Sequence, residues 1–90
     1  MRLVFSSQSW SEYLFCQEHD RKSLVRINDL IRETMRTPFA GTGKPEPLVG
    51  DMRGFRFRRI TQEHRLVYRV AGRGEPEALE IAACRFHYGR

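Results

Sequence analysis

The chain has 90 residues, of which 40% are hydrophobic and 30% are charged, and its formal net charge is +5. This length favours a single domain spanning residues 1–90, and the apolar content and mixed charges exclude a disordered or low-complexity chain. The basic excess indicates a polyanionic partner, although charge alone does not separate RNA from DNA or from an acidic protein.

A short strand and a first helix are predicted at the start of the chain. The run Arg2 to Phe5 is typical of a strand, and its apolar stretch is too short for a signal peptide or a membrane span. We therefore expect a cytoplasmic protein with no membrane partner. Ser9-x-x-Glu12 is typical of a capping box, which predicts a helix that opens there and ends near His19. One face of this helix carries Trp10, Tyr13, Leu14 and Gln17.

A second helix and a loop follow. Asp20 fits the N-cap of this helix, and Thr37-Pro38 predicts its end because proline cannot continue the helical hydrogen bonds. Its apolar stripe, which we interpret as core, consists of Leu24, Ile27, Ile31 and Met35. The segment Gly41 to Pro47 has too many glycines and prolines for regular structure, so it is predicted to be a constrained loop.

Beyond the loop, apolar residues recur at every second position, which predicts three strands. The strands are centred on Phe55 to Phe57, on Leu66 to Val70 and on Leu79 to Ala83. Residues 61–64 would turn the first pair and residues 71–76 would connect the second, which predicts an antiparallel meander. We therefore expect an α+β fold with helices packed on one face of the sheet.

The basic excess lies in this strand region and is carried by arginine alone. Seven basic and seven acidic residues precede Arg53, whereas nine arginines and four glutamates lie from Arg53 onward. The planar guanidinium can bind a phosphate through two parallel hydrogen bonds, which favours a phosphate-rich partner. Four arginines are predicted to widen this basic surface: Arg56, Arg58, Arg69 and Arg73.

Glu46 is a candidate general base. Cleavage of RNA without a metal requires a base for the 2′-hydroxyl, a cation at the phosphate and an acid for the leaving oxygen. Because Pro45 and Pro47 restrict the backbone on both sides of Glu46, its carboxylate is held more firmly than an ordinary loop side chain. The alternative interpretation is a solvated loop residue.

Arg59 and Arg65 are the candidate phosphate ligands. They flank the first predicted hairpin, so antiparallel pairing would bring them to one surface, with Glu63 or His64 nearby. Two adjacent guanidinium groups would bind a phosphate well. The alternative is the charged face of an ordinary half-exposed sheet.

The end of the chain supplies a candidate acid. His87 follows the last strand, and an imidazole that titrates near neutral pH can protonate a leaving oxygen. Tyr88 can stack on an unpaired base. The alternative is that a histidine near a terminus is incidental.

Two cysteines, Cys16 and Cys84, are too few for a disulfide framework. The nearest histidine to each is three residues away and stands alone, which is not a metal-ligand pattern. We interpret both as buried small apolar residues, and we predict neither a metal nor another cofactor.

Six blocks of sequence run in order along nearly the entire chain: Trp10-x-x-Tyr13, Arg36-Thr-Pro-Phe39, Gly41-x-Gly-Lys-Pro-Glu-Pro-Leu48, Arg58-Arg-Ile-Thr61, Glu63-His-Arg-Leu-Val-Tyr68 and Ala82-Ala-Cys-Arg-x-His-Tyr88. Together they resemble the YoeB/Txe toxins of the RelE superfamily. The resemblance implies a RelE-like fold, in which a curved antiparallel sheet of four or five strands packs against two N-terminal helices. It also implies a metal-independent endoribonuclease of a type II toxin-antitoxin system, which cleaves mRNA in the ribosomal A site and leaves 2′,3′-cyclic phosphate and 5′-hydroxyl ends.

The resemblance assigns a role to each candidate residue. The catalytic positions are the general base Glu46, the phosphate and transition-state ligand Arg65, the general acid His87 and the substrate-orienting Tyr88. The positions implied to bind RNA or support the site are Lys44, Arg53, Arg58, Arg59 and Glu63. The family often has a lysine where this chain has Val49, so one basic contact to RNA is missing or is replaced by Lys44 or Arg53.

The partners implied by the resemblance are mRNA on the 70S ribosome and an acidic antitoxin similar to YefM. A homodimer is also implied, with operator DNA reached only indirectly through the antitoxin complex. One alternative is a catalytically inactive RelE-fold module that binds nucleic acid or antitoxin. Another is an ordinary basic ribosome-associated protein, which would need neither Glu46 nor His87.

Overall fold

The structure is a computed structural model, and it describes residues 1–41, 43, 46–47 and 54–86. Its elements are β1 (Arg2–Phe5), α1 (Ser7–His19), α2 (Arg21–Arg36), β2 (Glu46–Pro47), β3 (Arg56–Arg59), β4 (Arg65–Ala71) and β5 (Ala78–Ala83). The strands form one sheet in the order β1-β5-β4-β3-β2. The predicted α+β fold with two N-terminal helices is therefore confirmed. Neither described helix is long and apolar enough to cross a membrane.

The first helix begins before the predicted capping box. Ser6 is its N-cap, and the Ser6 hydroxyl accepts a hydrogen bond from the Ser9 N–H at 3.0 Å. The Ser9 hydroxyl instead donates to the Ile81 carbonyl at 2.7 Å. The Glu12 carboxylate accepts a hydrogen bond from the Cys84 N–H at 2.8 Å. The capping-box prediction is therefore wrong, because both side chains are used to join α1 to β5 and the residue that follows it.

The second helix follows its sequence prediction closely. The Asp20 carboxylate caps it by accepting the Ser23 N–H at 3.1 Å and the Ser23 hydroxyl at 2.8 Å, and these bonds lower the pKa of Asp20. Thr37 is the C-cap, as predicted. Ile27 and Ile31 are buried, while Leu24 and Met35 pack at the margin of the core.

Strands β3, β4 and β5 form the predicted antiparallel meander, but the two outer strands differ from the prediction. β1 pairs with β5 in parallel, with Arg2 opposite Ala78, so the sheet is mixed rather than wholly antiparallel. The two helices lie between β1 and the rest of the sheet in sequence, and such a long connection permits parallel pairing. Part of the predicted loop forms the edge strand β2, where Pro47 is tolerated because an edge strand has one unpaired side.

The core lies between the helices and one face of the sheet. It is formed by Leu66, Tyr68, Leu79 and Ile81 of the sheet together with Ile27, Leu30 and Ile31 of α2. Cys16 and Cys84 are buried and free, as predicted, and burial raises the pKa of Cys84 to about 12, so its thiol stays protonated. Successive side chains of a strand point to opposite faces, so the intervening residues of β3 and β4 occupy the other face. We call this second surface the helix-free face.

Candidate active site

The pairing of β2, β3 and β4 brings three predicted site residues to the helix-free face. Glu46 lies opposite Phe57, and Arg59 lies opposite Arg65. Phe57 and Arg59 are two positions apart on β3, so their side chains lie on the same face of the sheet. Glu46 and Arg65, which lie directly opposite them, have their side chains on that face too. The predicted meeting of Arg59 and Arg65 across the hairpin is confirmed, and the pairing of β2 places Glu46 beside them.

Arg65 is the most buried charged group at this site, with 7% of its surface exposed. Its Nη1 donates to the carbonyl oxygens of Thr61, Gln62 and His64 at 3.0, 3.2 and 3.2 Å. Its Cζ lies 5.6 Å from the ring centroid of Phe57. The guanidinium is therefore fixed by the hairpin turn through one nitrogen, and within the described residues Nε and Nη2 donate to no protein atom.

The electrostatics around Arg65 favour an anionic ligand. Burial lowers the pKa of Arg65, the nearby charge of Arg59 lowers it further, and the carboxylate of Glu46 acts in the opposite direction. Arginine nonetheless stays protonated at physiological pH. Two guanidinium groups and one carboxylate thus influence each other at one place, where a phosphate would offset the remaining positive charge.

Glu46 is exposed but its backbone is held. Its two-residue strand pairs with β3, and the Arg59 N–H donates to the carbonyl oxygen of Gly43 at 3.1 Å. Gly43 has a φ of 86°, and a Cβ there would lie 3.0 Å from the Cβ of Arg58 and 3.3 Å from the backbone nitrogen of Arg59. Glycine therefore lets the chain approach β3 closely just before Glu46.

The chain returns to Arg65 at Phe86. The Phe86 carbonyl accepts the backbone N–H of Arg65 at 3.2 Å, and the Phe86 N–H donates to Nδ1 of His64 at 2.8 Å. Phe86 has a φ of 62°, a left-handed conformation that is uncommon for a residue with a side chain. His87 and Tyr88 follow in sequence and lie outside the described residues.

Arg58 does not belong to the exposed basic surface, which corrects the sequence interpretation. Its side chain is fully buried, and its Nη2 donates to the carbonyl oxygens of Thr37 and Ala40 at 2.5 and 2.8 Å. Its Nε donates to the hydroxyl of Tyr68 at 3.3 Å, and that hydroxyl donates to the Pro38 carbonyl at 2.7 Å. Arg58 points to the helix face of β3 and fastens the segment after α2 to the sheet.

The other residues assigned to RNA contacts have different positions. Arg59 is the last residue of β3, and Glu63 lies in the turn that follows; both are exposed. Lys44 and Arg53 lie outside the described residues. Arg69, one of the arginines expected to widen the basic surface, forms an ion pair with Glu80 at 2.5 Å, so its charge is largely compensated.

Residues 5–88 match the family model of the YoeB-like toxin of bacterial type II toxin-antitoxin systems. The chain is 53% identical to Toxin YoeB of Escherichia coli (strain K12) over 88 residues, which are 98% of this chain and 100% of that protein. A solved YoeB/ParE toxin from Agrobacterium tumefaciens is 58% identical with a TM-score of 0.92, over 98% of this chain and 100% of the other. YoeB of Staphylococcus aureus is similar both as a dimer (37% identity, TM-score 0.87) and in a YoeB-YefM complex (36%, 0.86), each over 98% of both chains.

Proposed function

Since the chain belongs to the YoeB-like toxins of bacterial type II toxin-antitoxin systems, we propose that it is an mRNA interferase. It cleaves mRNA in the ribosomal A site by attack of the RNA's own 2′-hydroxyl, and it thereby blocks translation. The observation that carries this proposal is the convergence of Glu46, Arg59 and Arg65 on the helix-free face of the sheet.

Glu46 acts as the general base. An exposed carboxylate on a held edge strand can reach a substrate hydroxyl, and its negative charge suits it to accept the 2′-proton. Its side chain is exposed at the sheet edge, where it would meet an RNA strand bound across the helix-free face. The deprotonated 2′-oxygen then attacks the adjacent phosphorus.

Arg65 holds the phosphate and offsets the charge that develops on its oxygens. Its guanidinium is fixed by three backbone carbonyls, so little reorganisation is needed when the transition state forms. Partial burial strengthens this interaction, because nearby water would otherwise screen it. Arg59, exposed beside it, adds a second cation for the RNA backbone.

His87 protonates the leaving 5′-oxygen, and Tyr88 orients the base. The support for these roles is their position in the sequence motif and the anchoring of the preceding residue, Phe86, against Arg65. The products are a 2′,3′-cyclic phosphate and a 5′-hydroxyl. No metal takes part in this scheme, and two guanidinium groups at the phosphate would repel a divalent cation.

The proposed partners follow from the family and from the charge. A YefM-like antitoxin with an acidic segment would bind the arginine-rich surface, as YefM forms a complex with YoeB in Staphylococcus aureus. A homodimer is proposed from the YoeB dimer of that organism. Lys44 and Arg53 are proposed to contact mRNA or the ribosome, and operator DNA is reached only through the antitoxin.

Ribosomes translating a defined mRNA provide the test. We expect the purified protein to create new mRNA ends within A-site codons, and we expect a YefM-like antitoxin to prevent them. Binding of the protein to ribosomes, measured by sedimentation in the same samples, serves as the control. Binding to ribosomes without new mRNA ends would favour the catalytically inactive module. The absence of both ribosome binding and mRNA cleavage would contradict the proposal.

A further inference from the structure

We propose that His64 is a positioning residue, which holds the backbone of Phe86, the residue directly before the proposed general acid His87 in sequence. This inference rests on the proposed function for its catalytic consequence. The contact itself is independent of that function.

His64 and its neighbour Arg65 hold Phe86 from both sides of its peptide backbone. Nδ1 of His64 accepts the Phe86 N–H at 2.8 Å, while the Arg65 N–H donates to the Phe86 carbonyl at 3.2 Å. The rings of His64 and Phe86 meet edge to face, with centroids 5.1 Å apart. The backbone N–H and the carbonyl of Phe86 are thus both bound, the first by His64 and the second by Arg65, the first residue of β4.

The backbone of His64 is itself fixed in the hairpin turn. Its N–H donates to the Thr61 hydroxyl oxygen at 3.0 Å, and its carbonyl accepts the backbone N–H groups of Ile60 and Thr61 at 3.0 and 3.2 Å. The Arg65 guanidinium also donates to this carbonyl. The backbone that carries the imidazole is therefore fixed, and a substitution of the His64 side chain leaves these backbone hydrogen bonds in place.

The two residues before Phe86 are held by the helix α1 instead. The Cys84 N–H donates to Glu12, and Cζ of Arg85 lies 3.9 Å from the ring centroid of Phe15. At Phe86 the chain adopts its left-handed φ of 62° and turns toward β4. A conformation of this kind persists only where surrounding contacts hold it, and His64 supplies the one that binds the Phe86 N–H.

The hydrogen bond defines what the side chain must provide. Nδ1 accepts only in the neutral tautomer that carries its proton on Nε2. Asparagine places a carbonyl oxygen at nearly the same distance from the backbone, so it can replace this acceptor. Leucine has a similar size and cannot accept a hydrogen bond.

The test compares His64→Leu with His64→Asn in two measurements. In single-turnover cleavage on programmed ribosomes, we expect His64→Leu to lower the maximal rate about 10-fold or more, since a small misplacement of catalytic groups is costly. The half-saturating ribosome concentration should change little, and His64→Asn should regain most of the rate. By NMR hydrogen exchange, the Phe86 amide should be protected in the wild type and in His64→Asn but should exchange faster in His64→Leu.

Thermal melting of each variant shows whether it is folded. A wild-type rate in folded His64→Leu, or unchanged protection of the Phe86 amide, would overturn the proposal. So would a rate loss in His64→Leu that His64→Asn does not recover, because ring packing would then be the cause. If the wild-type protein cuts no mRNA, the proposed function has failed, and the exchange measurement alone decides whether His64 holds Phe86.

Discussion

The Glu46→Gln variant is expected to lower the single-turnover rate of mRNA cleavage at least about 100-fold, the usual scale for loss of a positioned acid or base. Glutamine keeps the size of the side chain but cannot accept a proton at neutral pH. Glu46 is exposed on its edge strand, so the substitution should leave the core unchanged. The measurement is quench-flow analysis of mRNA on programmed ribosomes.

The matched control is Glu75→Gln, which removes an equal charge from an exposed residue in the connection between β4 and β5. We expect this variant to cut at the wild-type rate, and we expect both variants to bind ribosomes. Equal rates for the two variants would show that Glu46 is not the base. A loss of ribosome binding in Glu46→Gln alone would assign it to RNA binding instead.

The Arg58→Met variant is expected to lower the free energy of unfolding by about 3–5 kcal/mol, as is typical when one partner of a buried charged network is removed. Methionine fills a similar space but cannot donate to the carbonyls of Thr37 and Ala40 or to the hydroxyl of Tyr68. Of these acceptors, the hydroxyl of Tyr68 belongs to a fully buried residue, and an acceptor left buried without a donor costs about 1–3 kcal/mol. A domain of this size has about 5–15 kcal/mol in total, so the loss is a large part of it.

Urea denaturation of Arg58→Met and of Arg69→Met tests this assignment. Arg69 is an exposed arginine of the neighbouring strand whose ion pair with Glu80 lies on the surface, so its removal should cost no more than about 1 kcal/mol. Similar losses in the two variants would contradict the structural role of Arg58. They would instead favour the sequence interpretation, in which Arg58 belongs to the exposed basic surface.

Elements whose signals are local could be predicted from the sequence. The cap at Asp20, the apolar stripe of α2 and the alternation of β4 each depend on residues a few positions apart. Ser9 and Glu12 show the limit of this approach, because they have the spacing of a capping box. They are used for contacts with Ile81 and Cys84, more than 70 positions away, which no local pattern can reveal.

The sequence predicts the wrong surroundings for Arg58 for a related reason. Arginine at alternate strand positions is typical of a solvated face, and only the tertiary structure shows that Tyr68 and the carbonyls after α2 surround this one. The edge strand β2 was missed because the proline on each side of Glu46 argues against regular structure. Proline is nevertheless tolerated in a two-residue edge strand, since such a strand forms hydrogen bonds with one neighbouring strand only.

The candidate site was partly predictable. Arg59 and Arg65 flank a hairpin, so their pairing followed from strand alternation alone. The approach of Glu46 did not, because it depends on the pairing of β2 with β3. The role that we infer for His64 had one weak signal, a histidine directly before Arg65 at the start of a strand, and its contact with Phe86 joins residues 22 positions apart.

In the proposed mechanism, the attacking group is the 2′-hydroxyl of the mRNA, activated by Glu46. The most direct test is an mRNA on programmed ribosomes with a single 2′-deoxy residue at the cut site, compared with the unmodified mRNA under the same magnesium concentration. We predict that the unmodified mRNA is cut to a 2′,3′-cyclic phosphate and a 5′-hydroxyl, and that the phosphodiester after the deoxy residue stays intact. Cleavage of the deoxy substrate at the normal rate would rule out this mechanism, because a water molecule would then have to be the nucleophile.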